Sequence, residues 1–214
     1  MSRYDIVVWD FNGTLLDDKE ICRGIINDML KSYDLPLLSS EKYGELFCFP
    51  IEKYYEATGI TAYESFTSLA QKYAIAYRAA RPEIKCFDDI EEVLKILKNK
   101  GIQQTVISAT IQEGLIAHLK YLGISDYFKE ILGLADIYAA GKADIALKWL
   151  KDNNYQNKRI LLVGDCDHDY EIAQLLNADC VLIARGHMAR EKLEKIDVPI
   201  FDDARRLIAY VDDN

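Results

Sequence analysis

Four short stretches of this chain are apolar without alternation: Ile6 to Trp9, Thr105 to Ile107, Ile160 to Val163 and Cys180 to Ile183. Brief Val- and Ile-rich runs of this kind mark strands buried on both faces, as in a parallel sheet covered by helices. Helical spacing fills the intervals between them. Ile90, Val93, Leu94 and Leu97 precede a stop at Gly101, and Ile111, Leu115, Leu119 and Leu122 precede Gly123. Shorter amphipathic segments lie at Ile145 to Leu150, Ile172 to Leu176 and Leu207 to Val211. Strands alternating with helices predict an α/β fold, a doubly wound parallel sheet. A further, weaker strand is expected around Glu130 to Leu134.

From Asp17 to about Cys86 the rhythm changes, and the apolar residues keep helical periods only. Ile21, Ile25, Met29 and Tyr33 make one stripe; Phe66, Leu69, Tyr73, Ala76 and Ala80 make another. This interval is expected to be a helical insertion, punctuated by Pro36, Pro50 and Pro82. The division is residues 1–17 and 87–214 for the core and 18–86 for the inserted domain. The C-terminal Asp-Asp-Asn is expected to be a solvated end.

Charge and cysteine usage narrow the partners. Acidic residues outnumber basic ones 35 to 26, a formal charge of −9. With no basic run or stripe, neither nucleic acid nor an anionic membrane is an expected partner. Cys22, Cys48, Cys86, Cys166 and Cys180 are scattered and lack CxxC spacing, so neither a disulfide framework nor a zinc motif is indicated. No cleavable leader and no apolar run of about eighteen residues is visible. A reducing, cytoplasmic setting is expected.

Polar residues stand where the apolar runs end: Asp10 after the first, Ser108 after the second, Gly164-Asp165 after the third. In an open parallel sheet the carboxyl ends of strands near the switch point of the winding share one crevice, so these distant groups are expected to converge. Taken singly they have ordinary explanations. Asp10 could cap a turn, Ser108 a helix, and Asp165 and Asp169 could be first-turn acids. A lysine at a helix start, as at Lys142, opposes the helix dipole and favours a site role.

In four motifs the chain resembles the haloacid dehalogenase-like superfamily of phosphotransferases and hydrolases. They are Asp10-Phe11-Asn12-Gly13-Thr14-Leu15-Leu16-Asp17, Ser108 closing Thr-Val-Ile, Lys142 in Ala-Gly-Lys-Ala-Asp, and Gly164-Asp165-Cys166-Asp167-His168-Asp169. The resemblance covers nearly the whole chain and is nearest to the phosphoglycolate phosphatase-like branch, whose small helical cap matches the insertion. It implies a Rossmann-like core and a Mg²⁺-dependent phosphomonoesterase acting on a small phosphorylated metabolite, as a monomer or homodimer. Asp10 would be the nucleophile, forming an aspartyl-phosphate. Asp10, the backbone carbonyl of Asn12 and Asp165 would hold the metal, with Asp169 in support. Ser108, with Ala109 beside it, would meet the phosphoryl oxygens, and Lys142 would neutralise charge and hold Asp10. Gly13 would make the tight turn and Thr14 offer a hydroxyl. The segment Phe47 to Lys53 resembles the family's specificity loop, which makes Phe49 and Lys53 candidate substrate contacts.

The residue types suit this chemistry. A carboxylate nucleophile divides hydrolysis into two easier steps. A phosphate dianion approaching three aspartates needs a hard cation with oxygen ligands, and Mg²⁺ is the natural one.

One position departs from the pattern. Where the family's phosphatases carry an acid/base aspartate, this chain has Asn12, which has no proton to give. Loss of acid/base help costs roughly 10²- to 10⁴-fold in rate. Turnover is then expected to be weak or confined to leaving groups that need no proton, such as acyl or aryl phosphates. A non-catalytic phosphate-binding or regulatory domain is the alternative, and a phosphonatase-like route using Lys53 or Lys31 a further one. A dehalogenase would not need Asp165. The Asn12-Gly13 pair also suggests deamidation, since glycine leaves the following nitrogen unhindered. His118 is expected at the surface or as filler, and His187 as a loop residue that could approach the crevice but is ordinarily solvated. His168 and Asp167 should lie at the rim, Cys166 should be incidental, and the tyrosines of the insertion should fill its core.

Overall fold

The computed structural model describes residues 2–135 and 141–212. Ala140 of the lysine motif and the terminal Asp213 and Asn214 lie outside the described residues. Along the chain, β1 (Ile6–Trp9) and β2 (Leu16–Asp17) precede four helices: α1 (Lys19–Lys31), α2 (Ser40–Leu46), α3 (Ile51–Ala57) and α4 (Phe66–Ala80). Next come β3 (Lys85–Cys86), α5 (Ile90–Asn99), β4 (Gln103–Ile111), α6 (Gln112–Tyr121), β5 (Glu130–Leu134) and α7 (Lys142–Asp152). The chain closes with β6 (Ile160–Gly164), α8 (Asp167–Leu175), β7 (Asp179–Ile183), α9 (Arg190–Leu193), β8 (Ile200–Phe201) and α10 (Arg206–Tyr210).

Six strands form one parallel sheet in the order β5-β4-β1-β6-β7-β8. β1 is central because it offers apolar side chains to both faces. Ile6 and Val8 join one core, Val7 and Trp9 the other, and all four are buried. The first core continues into α7, α8 and the inserted helices, the second into α5, α6 and α10. The winding reverses at β1, with β4 on one side and β6 on the other, so the carboxyl ends of these three strands meet.

Local signals explain the elements that carry the site. In α5 the stripe Ile90, Val93, Leu94 and Leu97 is fully buried, and the helix stops at Gly101, whose φ of +77° suits a residue without Cβ. Truncating Leu94 to Ala would cost about 2–5 kcal/mol through the lost contacts and the cavity. In α8, Asp169 closes the first turn by accepting the backbone N–H of Cys166.

Three details differ from expectation. β4 extends to Ile111, so Ser108 lies inside the strand rather than after it, where the register against β5 shifts between Ile107 and Ile111. The two-residue strands β2, β3 and β8 are too short to show a period. β2 and β3 pair antiparallel, Leu16 with Cys86 and Asp17 with Lys85, and tie the two ends of the insertion together. Finally, the buried stripe of α1 is Cys22, Ile26 and Leu30, one position later than Ile21, Ile25 and Met29, which are half-buried. The predicted stripe faces partly toward the flanks because α1 packs both on α4 and on the core.

Candidate active site

Asp10 directly follows β1, where its N–H donates to the carbonyl of Val163 on β6 (2.9 Å). Lys142, the first residue of α7, reaches into the same crevice. Its Nζ lies 2.5 Å from Asp10 Oδ1 and 2.6 Å from Asp169 Oδ1. The other oxygen of Asp169 accepts the N–H groups of Asp165 (3.0 Å) and Cys166 (3.3 Å). A cation at a helix N-terminus is unfavourable to the dipole, but two buried carboxylates outweigh a term of about 0.3–1 kcal/mol. Lys142, Asp10, Asp165 and Asp169 are all buried.

Burial and mutual repulsion dominate the electrostatics. Burial pushes the Asp10 carboxyl up to about 6 in spite of Lys142, with Asp169 adding to the rise. Burial likewise pushes Asp165 up to about 8, against the pull of His187 and helped by Asp10 and Asp169. Burial opposes the charge of Asp169 too, but Lys142 holds it below the usual carboxylate range. Although burial disfavours a charged lysine, Asp10 and Asp169 keep Lys142 firmly protonated. The site thus holds three carboxylates against one ammonium, and Asp10 and Asp165 retain an unmet demand for positive charge. An all-oxygen set of Asp10, Asp165 and the Asn12 carbonyl fits a hard dication such as Mg²⁺. The backbone is cut close around it. Gly13 has a φ of +74°, and a Cβ there would come within 2.5 Å of Asp165 Oδ2 and 2.7 Å of the His187 ring. Gly186 is packed equally tightly against Asp165.

Asn12 is held by three side chains. Its Nδ2 donates to Asp18 Oδ2 (2.7 Å) and to the Tyr77 hydroxyl (2.7 Å), and its Oδ1 accepts from Thr110 Oγ1 (3.0 Å). This environment matches an amide, because a carboxylate here would face the carboxylate of Asp18. The Gly13 N–H is engaged as well, donating to Asp18 Oδ1 (2.9 Å). Ring closure between Gly13 N and the Asn12 side chain would break all of these contacts, so the geometry opposes deamidation.

The remaining residues singled out from the sequence are placed unevenly. Ser108 is buried and its Oγ accepts the Thr110 N–H (3.0 Å). Thr14 Oγ1 is buried without a hydrogen-bond partner among the described residues. Ala109 is exposed beside Ser108. Phe49 lies between the second and third helices of the insertion and stacks on His168 of α8, with ring centroids 4.7 Å apart. Lys53 is exposed on α3 and its side chain forms no hydrogen bond or ion pair among the described residues, so nothing ties that side chain to the crevice. Tyr54 and Tyr55 are buried among the inserted helices, whereas Tyr63 is exposed and Tyr77 reaches the site.

His187 corrects an expectation: it is buried, not solvated. Its Nδ1 meets the Tyr43 hydroxyl (3.0 Å), its Nε2 lies 3.3 Å from Asp18 Oδ1, and its backbone N–H donates to Asp165 Oδ2 (2.5 Å). Burial would lower its pKa, but Asp18 and Asp165 raise it to about 9. The motif's terminal Asp17 is exposed, and the adjacent Asp18 is the buried one. Asp18, Thr110 and Tyr43 escaped sequence reasoning altogether, and Tyr77 was expected only to fill the core of the insertion. The only signal was that Asp18 and Cys22 share one helical face four residues apart.

The model of the family described as haloacid dehalogenase-like hydrolase matches residues 7–183. The chain is 24% identical over 218 residues to a phosphoglycolate phosphatase of Pseudomonas aeruginosa, spanning 97% of this chain and 79% of that protein. It is 25% identical over 208 residues to the tyrosine-protein kinase PtkA of Mycobacterium tuberculosis, spanning 93% of this chain and 68% of that one. Among solved structures, a haloacid dehalogenase-like family hydrolase from Streptococcus pneumoniae superposes with a TM-score of 0.83 at 19% identity, over 97% of this chain and 98% of its own.

Proposed function

Because the chain belongs to the haloacid dehalogenase-like hydrolase family, we propose that it is a Mg²⁺-dependent phosphomonoesterase for a small phosphorylated metabolite, working through an aspartyl-phosphate on Asp10. One observation carries the reading: a buried lysine held between two aspartates, with a third aspartate behind them, at the carboxyl ends of the central strands. The relatives named above share chemistry at a phosphoryl group, one by hydrolysis and one by transfer.

Asp10 Oδ1 is fixed by Lys142, which leaves Oδ2 as the attacking oxygen. Oδ2 bonds to phosphorus as the ester P–O bond breaks, and the leaving oxygen takes the electron pair. Water then attacks the acyl-phosphate, releasing phosphate and restoring Asp10. Lys142 keeps Asp10 ionised and offsets charge on the phosphoryl oxygens, toward which the Ser108 hydroxyl can turn. Asp10, Asp165 and the Asn12 carbonyl would hold Mg²⁺, which when bound would supply charge neutralisation. Asn12 positions but cannot protonate, so good leaving groups, acyl or aryl phosphates, react fastest.

The fixed amide of Asn12 also favours a second reading, a phosphate-binding or regulatory domain without turnover. No observation favours a Schiff-base route, since Lys31 and Lys53 are both exposed. Phosphate release from a panel of aryl, acyl and alkyl phosphates, with and without Mg²⁺, tests the first reading. Mg²⁺-dependent release that Asp10→Asn abolishes is expected. Stable modification of Asp10 by beryllium trifluoride without any turnover would select the binding domain instead. Neither release nor an Asp10 adduct would overturn both.

A further inference from the structure

Beside the proposed magnesium site lies a second cluster with a different donor set. Asp18 stands at the position just before α1, Cys22 follows one turn later, and His187 meets Asp18 from the loop after β7. All three are buried, and their ligand atoms lie within 4.8 Å of one another. We propose that Asp18, Cys22 and His187 form a binding site for a borderline divalent ion of the zinc type, bridging the inserted helical domain to the core.

The separations fit. Ligands at ordinary zinc distances on a tetrahedron stand about 3.3 Å apart for a nitrogen–oxygen edge and about 3.6 Å for a sulfur–oxygen edge. His187 Nε2 lies 3.3 Å from Asp18 Oδ1, the oxygen that would face the ion, while Cys22 Sγ lies 3.7 Å from the other oxygen, Oδ2, and one ligand atom from each of the three residues lies within 4.8 Å of the others. The supporting shell is already in place. The Tyr43 hydroxyl holds His187 Nδ1, leaving Nε2 as the donor, in the way metal-bound histidines are oriented by a partner on their other nitrogen. Asn12 and Tyr77 hold Asp18 Oδ2, while Oδ1 carries only the Gly13 N–H besides His187 and keeps a lone pair for the ion.

Charge balance agrees with this. A carboxylate, a thiolate and a neutral imidazole around one dication sum to zero, so the loaded cluster is neutral. Nitrogen and sulfur donors separate this site from its all-oxygen neighbour, so the two ions sort by chemistry. A second grouping, Asp165, Cys166 and Asp169, is less suited, because Asp169 is already committed to Lys142 and to the start of α8. Spacing in the sequence concealed the site, since His187 is far along the chain from the pair on α1.

The test uses the full chain stripped with chelator and given Co²⁺ in excess Mg²⁺. One equivalent should bind with a thiolate-to-cobalt charge-transfer absorption, and zinc should displace it and raise the melting temperature. Cys22→Ser should remove the absorption and weaken zinc by more than the about 10- to 100-fold typical of an outer-shell partner. His187→Gln should weaken zinc similarly with the thiol still present, and Cys166→Ser should change neither. Absence of the charge-transfer band in the native chain overturns the proposal. So does a band that survives Cys22→Ser and disappears in Cys166→Ser. Should Cys22→Ser fail to fold, the native spectrum and His187→Gln decide alone. None of these readouts depends on phosphatase activity.

Discussion

Lys142 Nζ lies 2.5 Å from Asp10 Oδ1 although 132 residues separate them, and both groups are buried. The sheet order brings this about, because β1 is central and α7 packs on its neighbour β4. The same lysine binds Asp169, so one ammonium joins the end of β1 to the first turn of α8.

Removing that ammonium exposes its value. Lys142→Met leaves Asp10 and Asp169 as buried, unpaired carboxylates, and should destabilise the fold by about 3–5 kcal/mol. Activity should fall about 10²- to 10³-fold, the usual cost of losing one preorganised donor. Urea denaturation alongside rates on an aryl phosphate checks both, and an unchanged rate would remove Lys142 from the mechanism.

Asn12→Asp places a carboxyl against Asp18 Oδ2, where like charges force the two to share a proton. The variant should lose about 1–3 kcal/mol of stability. It should also hydrolyse alkyl phosphates at least about tenfold faster, since the shared proton can reach the leaving group. Equal rates in the two proteins would mean that another group supplies the proton. In the native chain, peptide mass spectrometry should find residue 12 as the amide.

Stability without metal should depend on pH in a definite direction. Asp10 and Asp165 have folded-state values of about 6 and about 8, above those of the unfolded chain. Their contribution is greatest when they are protonated and is lost as pH rises through those values. His187, raised to about 9, acts in the same sense. Asp18 and Asp169 are lowered, so their contribution changes only in more acidic solution. In chelator the melting temperature should therefore fall between about pH 5 and about pH 9, and Mg²⁺ should flatten the decline. A flat profile in chelator would contradict the electrostatics described above.

Arg185 fixes the loop that carries Gly186 and His187. It grips buried Asp89 with two hydrogen bonds of 2.7 and 2.8 Å and lies over the Phe87 ring. Asp89 also accepts the Ala204 N–H (2.6 Å). Arg185→Met should cost about 3–5 kcal/mol, because Asp89 is left buried and charged. Arg185→Lys should recover only part of this, lacking the two-pronged geometry. Thermal denaturation of both variants gives the comparison.

What the sequence determined by itself was the alternation of elements and the residues at their ends. Ile6 to Trp9 could only be a strand covered on both sides, and the stripe from Ile90 to Leu97 only a buried helical face. Such patterns repeat within a turn or a pleat, so they survive in one dimension. From them came the placement of Asp10 and Asp165 beside each other after the neighbouring parallel strands β1 and β6, since parallel winding gathers strand ends. Tertiary structure alone decided that Asp18 rather than Asp17 is buried, that Asn12 is gripped by Tyr77 and Thr110, and that His187 turns inward onto Asp18. Those contacts join residues from the inserted helices, β4 and the loop after β7. Only the packing of the inserted helices on the sheet and its loops sets which side chains lose their water, and no local period records it.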